Sequence, residues 1–232
     1  MVSYKVWLPC IAGLCLAICC MITIGRPKDI PAFQPLFSDL PVVMIDAGHG
    51  GEDGGAVSLT GVRESHINLS IAKRLDCAMT LLGYPTVMLR SEDISLHDDT
   101  AVTIRQKKVS DLKNRVQTVS AAENAVLISI HQNSYPGSQY HGAQVFYHND
   151  ARSQQLAQAV QQALVLYVDP DNKREIKQVS DSVYLFNHIS CTAILVECGF
   201  LTNPQEEQLL RDGTYQNKLA VAIAAAALQS NR

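Results

Sequence analysis

The sequence predicts an α/β domain: a twisted, mostly parallel sheet with helices on both faces, preceded by an N-terminal hydrophobic segment. Three observations support this. Short apolar runs alternate with stretches of helical periodicity from residue 42 onward. Three of those runs stop at a residue able to bind metal or move a proton: 42–45 leads through Asp46, Ala47 and Gly48 to His49, 125–130 to His131, and 192–196 to Glu197. Right-handed crossovers bring the carboxyl ends of parallel strands to one rim, where α/β folds bind ligands.

The 232 residues suffice for one such domain with a sizeable core. The net charge of -3 gives no reason to expect nucleic acid as a partner. Aromatics are few, so the composition advertises no sugar- or base-stacking platform. Residues 6–24 are almost wholly apolar and about as long as a membrane span. We read 1–25 as a signal-anchor or signal peptide, 26–40 as a linker broken by Pro27, Pro31 and Pro35, and 41–232 as the folded domain. Either reading of the segment puts the domain outside the cytoplasm, membrane-anchored or secreted. Of the seven cysteines only Cys77, Cys191 and Cys198 lie in the domain. An extended chain would hold Cys191 and Cys198 roughly 20 Å apart, beyond disulfide reach.

The first strand is expected at about 42–46, followed by a glycine-rich loop over 48–61 that carries Glu52 and Asp53. A helix then runs to 82, with Ile67, Ile71, Leu75, Met79 and Leu82 as its buried stripe and Gly83 as its stop. Glu64 stands at the mouth of that helix, where the dipole favours a carboxylate even without a metal. A strand at 86–89 precedes a polar loop over 90–110 holding Glu92, Asp93, His97, Asp98 and Asp99, which reads as a solvated acidic loop. A helix follows over 111–122, then strands over 125–130 and 143–147, and a helix over 151–168. Strands are expected at 183–186 and 192–197, and helices at 204–211 and 215–229.

Two imidazoles and a carboxylate are a familiar set for catalytic zinc, which keeps a fourth position for water. His49, Glu64 and His131 are therefore the expected ligands of a zinc ion, and Glu197 the general base. Glu197 could instead pair with Arg90. Cys198 is a softer ligand on paper, but successive strand residues face opposite ways. Asp46 either orients His49 or caps the loop, and Asn133 either touches substrate or stabilises its own turn.

Four stretches carry a resemblance: 45–51 (IDAGHGG), 61–64 (GVRE), 129–133 (SIHQN) and 195–203 (LVECGFLTN). They resemble the signatures of the zinc-dependent N-acetylmuramoyl-L-alanine amidases, the amidase 3 family, over about 41–229. The resemblance implies a zinc amidase domain at 41–232, with Zn2+ on His49, Glu64 and His131 and catalysis by Glu197. It implies peptidoglycan as substrate, cut between N-acetylmuramic acid and L-alanine. Stretches 106–108, 111–116 and 142–147, with no wall-binding module in the chain, are similar to the family's sporulation branch. That branch strips cortex peptides so that a partner deacetylase can make muramic-δ-lactam, which would place the protein between forespore and mother-cell membranes. Leu89, where a threonine usually precedes the arginine (here Arg90), and Gln132, where alanine is common, depart from the family pattern without removing a group the mechanism needs. The competing readings are a general wall amidase of growth or division, a zinc peptidase acting within the stem peptide, and a wall-binding protein without activity. The complete set of four groups speaks against the last.

Overall fold

The computed structural model describes residues 40–230; the hydrophobic segment 1–25, and the linker 26–40 except its last residue, lie outside the described residues. β1 (Val42–Ala47), β3 (Ala125–Asn133) and β6 (Thr192–Phe200) form the parallel centre of a six-stranded sheet. β2 (Thr86–Met88) adds a parallel edge to β1. β4 (Gln144–Tyr147) runs antiparallel to β6, and β5 (Lys177–Gln178) runs parallel to β4, giving the order β2-β1-β3-β6-β4-β5. The helices are α1 (Glu64–Leu81), α2 (Ile104–Ser120), α3 (Ala151–Tyr167), α4 (Tyr184–Asn187), α5 (Pro204–Arg211) and α6 (Gly213–Ser230). Among the described residues no helix is long and apolar enough to cross a membrane.

Strand alternation sorts the core into two layers. Val43, Ile45, Ile128, Ile130, Ile194 and Val196 face one way, onto Ile67, Ile71 and Leu75 of α1, Leu156 and Val160 of α3, and Leu219 and Ile223 of α6. Each such aliphatic side chain, fully buried, contributes about 1.5–3 kcal/mol. Met44, Leu127, Ala193 and Leu195 face the other way, onto Val119 of α2 and Leu185 and Phe186 of α4. Followed toward the carboxyl ends, this second row turns polar: Met44 gives way to Asp46, Leu127 to Ser129 and His131, and Leu195 to Glu197. Period two thus delivers the site to the face that α2 and α4 cover.

The structure differs from the sequence expectations in four places. α2 begins at Ile104 rather than 111, because Thr103 and Gln106 form a reciprocal capping box. Residues 183–186, expected as a strand, give the single turn α4: Leu185 and Phe186 are neighbours and both buried, which a helical turn permits and an alternating strand does not. Leu82 caps α1 from a largely exposed position instead of extending its buried stripe. The short edge strand β5 is made of exposed Lys177 and Gln178, with no apolar pattern to mark it.

Candidate metal centre and active site

β1 ends at Ala47, and the chain turns sharply to present His49, the one non-glycine described residue with positive φ, at 61°. Such a conformation costs on the order of 1–3 kcal/mol and needs surroundings that enforce it. Two buried guanidiniums do so. Arg90 donates to the carbonyls of Ala47, Gly48 and Ser65 at 2.8, 3.0 and 2.9 Å. Arg115 donates to the carbonyls of Ala47 and His49 at 3.2 and 2.8 Å. Two glycines make the room: a Cβ on Gly48 would lie 2.2 Å from the His131 ring, and one on Gly55 2.5 Å from Glu64 Oε2.

Glu64 is the first residue of α1 and is buried. Its carboxylate accepts from the Ala56 N–H at 2.8 Å, the Gln132 N–H at 3.1 Å and Asn68 Nδ2 at 3.2 Å. Asn68 Oδ1 in turn accepts from Gln132 Nε2 at 3.1 Å. So fixed, the carboxylate bridges the imidazoles: Oε2 lies 3.3 Å from His49 Nε2 and Oε1 2.9 Å from His131 Nδ1. Ligand atoms of the three residues all lie within 4.8 Å of one another. Tetrahedral zinc takes three such protein ligands at about 2.0–2.1 Å, so these residues fit the ion in type and number, and they are already clustered. No other such cluster of metal-binding groups occurs among the described residues. Asp93 pairs with His66, and Asp98 bonds Ser110 and Asn114, so the acidic loop ties itself to α1 and α2.

Glu197 sits opposite His131 in the β3–β6 register. Its Oε2 is buried and has no hydrogen-bond partner. Together with His49, Asp53 and His131 it lines a 250 Å³ cleft walled by Leu112 of α2 and Leu185 and Phe186 of α4. Arg90, spent on carbonyls, is not its partner. Cys198, the next residue, packs into the core on the opposite face, where burial pushes its thiol well above the usual range.

The electrostatics divide the carboxylates. Burial disfavours charge on Glu64, but His131 and His49 outweigh it and hold the carboxyl below its usual range. Burial likewise opposes charge on His49, yet Asp53 and Glu64 raise it to about 9. For Glu197 burial dominates; His131 and His49 pull down, Glu64 pushes up, and the carboxyl stands at about 7. One acid is thus held ionised between the imidazoles, and another is poised near neutrality.

Sequence reasoning missed the group that orients His49. The partner is Asp53, whose Oδ2 lies 3.0 Å from His49 Nδ1, leaving Nε2 for the metal position. Asp46 instead accepts from Ser129 at 2.7 Å and forms a buried pair with Arg115. A carboxylate four residues beyond a histidine in a glycine-rich turn was the available signal. Asn68, one helical turn after Glu64, was another. Arg115 lies far along the chain, and nothing local marks it.

A mixed α/β sheet whose rim joins a His–Glu–His set to an unpartnered buried carboxylate is a layout suited to metal-assisted hydrolysis. The family model described as N-acetylmuramoyl-L-alanine amidase matches residues 43–229. The germination-specific N-acetylmuramoyl-L-alanine amidase of Bacillus subtilis is 32% identical over 183 residues, covering 78% of this chain and 76% of that one. The CwlD amidase of Clostridioides difficile, solved in complex with the GerS lipoprotein, superposes with a TM-score of 0.79 at 37% identity, covering 82% of this chain and 98% of that one. A second Clostridium difficile amidase gives 0.71 at 33%, over 83% and 97%. The chain belongs to the N-acetylmuramoyl-L-alanine amidase family and is an amidase of peptidoglycan.

Proposed function

We propose that the protein is a zinc amidase in which His49, Glu64 and His131 hold the metal and Glu197 is the general base. The observation that carries this is the buried, unpartnered Glu197 Oε2 beside three clustered metal donors. Zinc at that position would acidify a water and polarise the carbonyl of the lactyl–alanine amide. Glu197 takes the proton of the attacking water on its free oxygen and delivers it to the departing L-alanine nitrogen. A carboxyl near 7 is matched to both transfers. Asp53 keeps the His49 ring turned so that Nε2 faces Glu64. The walls of Leu112, Leu185 and Phe186 limit water around the reacting amide.

The setting we propose is spore cortex, where peptide removal prepares muramic acid for a partner deacetylase and hence for muramic-δ-lactam. The germination-specific relative and the likeness to CwlD support this reading. The apolar run at 6–24 supports export, with the domain anchored or released outside the cytoplasm. Purified peptidoglycan digested by the protein, with and without a chelator, tests the activity. The reading predicts chelator-sensitive release of intact stem peptides with a free L-alanine amine. Free D-alanine or shortened stems would show a peptidase instead.

A further inference from the structure

The catalytic rim carries a second group of side chains that the chemistry above does not use. Gln144 opposes Glu197 in the antiparallel β4–β6 register, so the two side chains leave the same face of the sheet. Gln144 Oε1 accepts from Arg174 Nη1 at 2.9 Å, and Arg174 Nε donates to the His141 carbonyl at 2.8 Å. The guanidinium carbon stands 4.4 Å from the centre of the Phe200 ring. Tyr140 stacks on Phe200 with centroids 6.1 Å apart, and Tyr135 meets Tyr140 edge-on at 4.8 Å. Phe200 is 2% exposed, Tyr140 36% and Tyr135 54%. The cluster therefore climbs from a buried floor beside the catalytic strand to an open pair of tyrosines.

The backbone that carries these rings is tied to the turn after β6. Asn203 Nδ2 donates to the Tyr140 carbonyl at 3.1 Å, and the Tyr135 N–H donates to Thr202 Oγ1 at 3.4 Å. The exposed ring of Tyr135, with Tyr140 set edge-on against it and the Arg174 guanidinium in the same cluster, suits a ligand that is apolar on its faces and polar at its rim. A pyranose ring has that character: axial C–H groups over the aromatic face, hydroxyls and acetamido groups at the edge.

We propose that Tyr135, Tyr140 and Arg174 form a glycan subsite, on which a sugar ring of the peptidoglycan strand lies while the muramyl amide reaches Glu197. The proposal rests on the amidase reading for the identity of the strand, but sugar binding is measurable without turnover. Gln144, opposite Glu197 in the β4–β6 register, places the cluster on the rim that carries Glu197.

The probe is an N-acetylglucosamine tetramer, which has no amide the enzyme can cut at a muramyl position. It is titrated into the full-length protein by NMR, for wild type, Tyr135→Ala and Tyr135→Phe. We expect saturable binding that weakens about tenfold in Tyr135→Ala and is kept in Tyr135→Phe, the order expected for one lost stacking contact. In parallel, Tyr135→Ala should raise KM for polymeric peptidoglycan. Tyr135 lies on an exposed loop, so an unchanged Tm is expected and checks the fold. No tetramer binding by wild type, or equal binding by Tyr135→Ala, overturns the subsite. Tyr135-dependent tetramer binding without cleavage of peptidoglycan by wild type would keep the subsite and sink the amidase reading.

Discussion

At the scale of single residues, the site is a set of groups held where water alone would not leave them. His49 is kept at positive φ by arginines that grip the carbonyls around it, and its ring is aimed by Asp53. Asp53→Asn removes the negative partner of the His49 N–H, so zinc affinity should fall about 10–100-fold in a chelator competition, as for other outer partners of ligating histidines. Glu197 is the converse case, a group whose burial opposes the charge it must carry. Its folded-state pKa of about 7 lies above the ordinary carboxylate value of 4.5, so the fold favours the neutral acid. The resulting penalty is absent below the unfolded value, grows as pH rises between the two, and is complete above about 7. Metal-free Glu197→Gln should therefore melt above metal-free wild type at pH 8, by a few degrees, with the gap closing towards pH 4.5. A lower melting point for the variant at pH 8 would refute the burial argument.

At the scale of elements, α2 latches the His49 loop from outside. Its Arg115 is buried against Asp46 and Asp111 and reaches the His49 carbonyl. Burial would raise the Asp46 carboxyl, but Arg115, with His131 and Ser129, brings it below the usual carboxylate range. Arg115→Met strands a buried carboxylate and should cost about 3–5 kcal/mol in urea unfolding, where Thr103→Ala at the far end of the same helix should cost about 1 kcal/mol. α2 also shows where sequence reading ran short. Its start was written in Thr103 and Gln106, a capping pair, but the low apolar content of 104–110 hid a helix in an apparent loop. α4 was misread because adjacent apolar residues do not distinguish a buried turn from a short buried strand. The central strands were plain, since long apolar runs ending in glycine or a polar group have few alternatives.

At the scale of the molecule, the sheet does the gathering. Parallel β1, β3 and β6 bring His49, His131 and Glu197 to one rim from positions 82 and 66 residues apart, and α1 opens there with Glu64. This much was legible because each group sits at a strand end or helix mouth, and right-handed crossovers leave one arrangement. The tyrosine cluster was not legible. Tyr135, Tyr140, Arg174 and Phe200 come from separate segments that meet only because β4 reverses direction and starts at the catalytic rim. Low aromatic content said nothing of how the few rings would be grouped.

The proposed roles separate the residues that would hold metal from the one that would move the proton. The most direct measurement is bound zinc per chain alongside amide cleavage, for wild type, His131→Ala and Glu197→Gln. Glu197→Gln should keep its zinc and lose at least about a hundredfold in turnover, because a neutral amide cannot accept the water's proton. His131→Ala should lose zinc itself. Equal zinc and equal loss of activity in both variants would contradict the division of roles.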